Sequence, residues 1–314
     1  MRSFDPIRTF LVDVGKYELV DEGDVGRGQL EYWRLPNTAS ATFVLLREPG
    51  SDHGYIRLVK FAGVDQRPVR IGARAWDPGG YFSLMMRAKG VEDIFRQAIA
   101  LGFQAESEPI RFSFEPTDGN PPSDLRNVVI KAPDGINFAL YERMSPPLSD
   151  FWDFSVLSQP FNAMQMVERT SQAYSFYREE LGMTAFWSDD FLDPLPVYNN
   201  FGLPTNMSTQ TPRRTRILWP QPGETGRLEI MEFVGLDGRH FGARAVPPNL
   251  GILSVSYPVL NAKLAFNLFL DSGGLPQYAL RTFTLAPYGD VRMFTAKSPD
   301  GALVNVFEVV EETP

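Results

Sequence analysis

The chain has no cysteine and only two histidines, His53 and His240. The first absence excludes disulfides, thiolate metal ligands and a cysteine nucleophile. The second excludes a metal site or acid–base pair built on several imidazoles. Basic charge is also short: the formal net charge is −8, which argues against nucleic acid or an anionic membrane surface as partner. No apolar run is long enough to span a bilayer. Arg2, Asp5, Arg8 and Asp13 interrupt the first residues, which therefore do not read as a signal peptide. A cytoplasmic protein is the expectation. No nucleophile elbow, phosphate-cradling glycine loop or dinucleotide fingerprint occurs.

What the chain does have is a repeat. Lys131-Ala-Pro-Asp-Gly135 and Lys297-Ser-Pro-Asp-Gly301 each open an alternating stretch that closes on Glu142 and Glu308, at a constant offset of 166. Proline presets φ and glycine accepts a positive φ, so each is a turn feeding a strand. Two such copies in 314 residues mark an internal duplication. A second pair, Gly54–Gly63 and Gly226–Gly235, shares its flanking glycines and one phenylalanine. The pro- and glycine-rich loop at 115–124 accounts for the different offset.

Alternation predicts strands at 28–35, 39–47, 54–61, 81–87, 126–132, 161–167, 215–219, 226–234, 250–257, 281–286 and 291–297. Helical spacing predicts helices at 91–101, 170–181 and 259–271. Residues 1–20 read as a short helix or irregular lead-in. Ser145-Pro-Pro-Leu-Ser-Asp150 reads as a linker between domains 1–146 and 151–314. The Pro/Asn-rich stretch 193–214 reads as a loop or lid. The whole is four βαβββ modules, at about 1–63, 80–143, 160–235 and 249–310, with an α+β fold. The first module lacks a clear opening strand. Either that strand lies upstream, or residues 1–12 supply a divergent edge.

Phe176-Tyr177-Arg-Glu-Glu-Leu181-Gly182, together with the two Pro-Asp-Gly turns and the fourfold arrangement, resembles the vicinal-oxygen-chelate superfamily of glyoxalases, bleomycin-resistance proteins and extradiol dioxygenases. The resemblance implies modules paired into two cup-like, mostly antiparallel sheets with helices outside. It also implies a divalent metal held by a residue early in each module's first strand and a glutamate in its last strand. In the second half those positions are Asn162, Glu229, Ser254 and Asn305. In the first half they are Arg57, Ser83 and Ala139. One carboxylate and no imidazole fall short of the three good donors that a stable Zn²⁺ or Fe²⁺ site needs. The expectation is therefore no metal and no cofactor.

Assigned by halves, the second cup surrounds Glu229 with Met164, Met166, Met231, Ser254, Ser256 and Phe307. A carboxylate in such company has its pKa raised, as a general base near neutral pH requires. Equally, Glu229 is a former ligand hydrogen-bonded to Asn162 or Asn305 or paired with Arg227. The first cup groups Arg57 with Ser83, Arg87, Asn137 and Tyr141, a set able to hold a carboxylate or phenolate. Asp189, Asp190 and Asp193 read as a solvated loop. Twenty-four phenylalanines fit two cores, or two cores and an aromatic-lined pocket. Three functions follow. One is a metal-independent lyase, isomerase or hydrolase acting on a small hydrophobic or aromatic molecule, with Glu229 as acid/base. Another is a non-catalytic binding protein of the bleomycin-resistance type. The third is the divalent-metal glyoxalase or extradiol dioxygenase that the resemblance alone implies and the ligand count opposes. The sequence leaves open a homodimer.

Overall fold

The computed structural model describes residues 1–114, 122–148 and 153–310. Most of the 115–124 loop and the end of the 145–150 linker lie outside these residues. The first module comprises α1 (Asp5–Thr9), continued as a π-turn over Phe10–Val14, then β1 (Glu18–Asp24), α2 (Arg27–Tyr32), β2 (Ser40–Arg47) and β3 (Ile56–Ala62). The second has β4 (Tyr81–Ala88), α3 (Val91–Ala100), β5 (Gln104–Ala105), β6 (Ile110–Phe114), β7 (Ser123–Ala132) and β8 (Ile136–Ser145). The third has β9 (Leu157–Met166), α4 (Thr170–Ser175), β10 (Thr184–Phe191), α5 (Thr205–Ser208), β11 (Arg213–Trp219) and β12 (Arg227–Phe233). The fourth has β13 (Ser254–Pro258), α6 (Ala262–Asp271), β14 (Pro276–Thr284), β15 (Asp290–Lys297) and β16 (Leu303–Val309). This is the expected α+β architecture.

Within a module, period-2 alternation sorts the side chains. On β12, Leu228 and Ile230 pack with Phe176 and Tyr177 of the helix side, while Met231 and Phe233 turn into the cup. The same pairing recurs in three modules. Met85 lies opposite Ala139, Met164 opposite Glu229, and Ser256 opposite Asn305.

The pairing between modules departs from the assignment by halves. Strands β4 and β9 pair antiparallel, so the second and third modules share one nine-stranded sheet. The sheets β1-β2-β3 and β13-β16-β15-β14 stand apart from it. They face each other across α2, whose Leu30 packs on the first module and whose Tyr32 packs on the fourth. The cups are thus formed by modules two and three and by modules one and four. On the helix side the grouping follows the halves. One core joins Phe10, Leu11, Val91, Ile94 and Phe138, and another joins Phe176, Tyr177, Phe269 and Phe294.

Three local expectations are corrected. Residues 28–35 were expected as a strand, but 27–32 are helical. A helix sandwiched between two sheets buries residues on opposite sides, which imitates strand alternation. Residues 5–14 are helical and pack into the helix-side core through Ile7, Phe10, Leu11 and Val14, so they supply no edge strand. The amine of Met1 donates to the Val59 carbonyl of β3 at 2.6 Å. Asp189 and Asp190 lie in β10 rather than a loop, and Asp190 pairs with Arg214 and Arg216.

Candidate functional site

Modules two and three bring Ser83, Ala139, Asn162 and Glu229 onto one pair of first strands and their neighbours, related by the β4–β9 pairing. Met164, Met231, Phe161 and Tyr141 surround them. Glu229 is 5% exposed. Asn162 Nδ2 donates to its Oε2 at 2.9 Å, and Arg227 Nε donates to Asn162 Oδ1 at 3.1 Å. The amide thus passes the influence of the guanidinium to the carboxylate. Burial pushes the Glu229 pKa up to about 7, opposed by the Asn162 hydrogen bond and the Arg227 charge. The Tyr141 hydroxyl is likewise held above its usual range, by burial first and by the Glu229 charge second.

This cup is filled by its own chain. The 193–214 segment, expected as a lid, sends Phe201, Leu203 and Met207 into the Met164/Met231/Phe233 cluster. Phe201 meets the rings of Phe82 and Phe233 at 6.3 and 5.4 Å. Asn199 shapes the segment from within. Its Oδ1 accepts from the backbone N–H groups of Phe201 and Leu203, and its Nδ2 donates to the Leu203 carbonyl. Asn200 reaches Asn127 on β7. Proline and asparagine punctuation signalled an irregular segment, but its direction depended on the apolar trio, which lacks any period. Leu203→Ala is expected to cost about 2–5 kcal/mol by chemical denaturation, as for other buried leucines. A loss below about 0.5 kcal/mol, as at surface sites, would contradict the plug.

Modules one and four place Arg57, Ser254, Asn305 and Phe307 on a cleft of about 2170 Å³ that also extends along Leu84 and Phe138 of module two and Asn162 and Arg227 of module three. Ser254, Asn305 and Phe307 therefore do not share a cup with Glu229, and Arg57 does not share one with Ser83, Arg87, Asn137 and Tyr141. Asn137 instead donates to the Phe82 carbonyl at 2.9 Å. Asn305 is satisfied. Its Nδ2 donates to Ser254 and Ser256 at 3.1 and 3.0 Å, and Thr295 donates to its Oδ1 at 2.7 Å. Tyr32 of α2 joins Thr295 at 2.8 Å. Two ring pairs wall the cleft, Trp33 with Phe61 and Tyr288 with Phe307. The contribution of α2 was missed from sequence, because those residues read as a strand of the sheet.

Among the described residues no group of three or more His, Cys, Asp or Glu could hold a metal ion. Ser83, Ala139, Asn162 and Glu229 offer one carboxylate, and Arg57, Ser254 and Asn305 offer none. This donor set does not fit a divalent metal. His53 and His240 stand in loops, against Asp52 at 2.7 Å and Asp300 at 3.4 Å. No helix among the described residues is long and apolar enough to cross a membrane.

No family model and no curated protein matches the chain. Among solved structures it is similar to glyoxalase I from Zea mays, at 15% identity over 98% of this chain and 88% of that one, with a TM-score of 0.57. It is also similar to a Bacillus subtilis protein proposed to be a dioxygenase, at 11% identity over 99% and 83%, with a TM-score of 0.53. At such identities the likeness is one of fold. The four-module topology and these two full-length likenesses together show that the chain shares the fold of these proteins.

Proposed function

We propose that this protein binds a small hydrophobic or aromatic molecule, without a metal, in the cleft between its first and fourth modules. The contrast between the two cups carries this reading. The one with the buried carboxylate is packed by Phe201, Leu203 and Met207. The other is open, and beside Arg57 its wall carries Trp33, Phe61, Tyr288 and Phe307, aromatic surface of the kind that small-molecule sites use. Glu229 then serves as an internal hydrogen-bond acceptor for Asn162, tying β12 to β9.

One observation favours a second reading, acid–base catalysis: the Glu229 pKa near 7 suits proton transfer at neutral pH. Native mass spectrometry of the full chain as isolated separates the two. The expected species carries an organic molecule and no divalent metal, and prolonged incubation releases the molecule chemically unchanged. Chemical change that disappears in Glu229→Gln would establish catalysis instead. A stoichiometric metal on the protein's own side chains would overturn the metal-free proposal.

A further inference from the structure

Arg57 occupies the position on β3 that Glu229 occupies on β12. Arg57 lies opposite Leu45 of β2 as Glu229 lies opposite Ile217 of β11, and each sits fourth in its glycine-flanked decapeptide. The same structural position is thus a buried acid in one cup and a guanidinium in the other. The guanidinium lies 4.2 Å over the Phe43 ring. Its one hydrogen bond is long, from Nη2 to Gln29 Oε1 at 3.4 Å, and its Nε is buried without a partner. Among the described residues no ion pair is made to it, and the Asp21 carboxylate acts on it without a hydrogen bond. Burial lowers its pKa to about 10, which leaves it cationic at neutral pH.

A half-buried arginine that no carboxylate touches directly leaves its guanidinium short of partners. Here it lines a cleft in which the nearby Asn305, Ser254 and Ser256 satisfy one another, and whose remaining charged lining is acidic except for Arg227. Arg57 has donors to spare, its Nε without a partner and its Nη2 on one long bond. A planar fork of N–H donors matches a carboxylate, and the flanking ring pairs match an aromatic body.

Building on ligand binding in this cleft, we propose that the ligand is an aromatic carboxylate, its anionic group on Arg57 and its ring between the Trp33–Phe61 and Tyr288–Phe307 walls. The fold's cation-binding position becomes an anion-binding one.

Calorimetric titration of the full chain with 2-naphthoate and with its neutral counterpart 2-naphthamide tests this. Naphthoate is expected to bind at least about tenfold tighter, the scale of a charge-assisted hydrogen bond. The advantage should vanish in Arg57→Gln and survive in part in Arg57→Lys, which keeps the charge and loses the fork. Equal affinities for the two probes, or naphthoate binding untouched by Arg57→Gln, would overturn the anion assignment and leave the cleft reading standing. Binding of neither probe would overturn the cleft reading itself. Should Arg57→Gln fail to fold, the ratio between the two probes on the unmodified protein decides.

Discussion

Glu229→Gln is expected to remove a stability loss of about 2–3 kcal/mol that the unmodified protein suffers between pH 5 and pH 8. The sign follows from linkage. The folded-state pKa of Glu229 is about 7 against an ordinary 4.5, so in this window the folded state holds a proton that the unfolded chain has released. The stability so gained is fully present below the unfolded value and lost as pH rises through about 7. At about 1.4 kcal/mol per unit, the part lost between pH 5 and pH 8 amounts to about 2–3 kcal/mol. Glutamine cannot ionise, yet its carbonyl still accepts from Asn162. Urea unfolding of both proteins at pH 5 and pH 8 measures the effect as a difference of differences. Other titrating groups, such as the buried Asp300 whose pKa is also raised by burial, cancel between the two. An identical pH dependence in both proteins would contradict a desolvated carboxylate at this position.

Gly301→Ala is expected to cost roughly 3–5 kcal/mol, against about 1 kcal/mol for Gly135→Ala. Both glycines close a Pro-Asp-Gly turn with positive φ, 85° and 76°. Their surroundings differ. A Cβ on Gly301 would stand 2.4 Å from the Gly242 backbone, whereas one on Gly135 meets nothing within 4 Å. At Gly135 alanine pays for the left-handed backbone alone. At Gly301 it must also separate two backbones that touch where the 234–249 loop crosses the turn. Thermal unfolding of the two variants side by side measures the contrast, and equal losses would show that the crossing has slack.

Much of this fold was legible in local pattern. Leu228 and Ile230 declared the helix face and Glu229 the cup face, because a strand's period of two allows no other sorting. The equivalence of Ala139, Glu229 and Asn305 followed from the repeat, and the observed registers agree with it. What escaped was whatever depends on partners remote in sequence. Nothing in β4 or β9 says that they pair with each other, since either alternation would suit any first strand. The edge strand β1, Glu18–Asp24, carries four acids in seven residues and shows no apolar face to detect. Residues 27–32 bury Leu30 and Tyr32 against different sheets, so their apolar pattern reports two neighbours rather than one strand. The separation of Arg57 and Glu229 from their expected companions has the same origin: the cup each belongs to is set by a neighbouring module's edge.

The plug of Phe201, Leu203 and Met207 can also be viewed as a competitor that never leaves. Being tethered, it meets its cup at the effective concentration of a short loop, on the order of millimolar or above. A free molecule aimed at that cup must first displace it, so its apparent affinity is reduced by the full equilibrium constant of plug closure. Substitutions that weaken the plug would therefore uncover a second binding cup without adding a single contact to it.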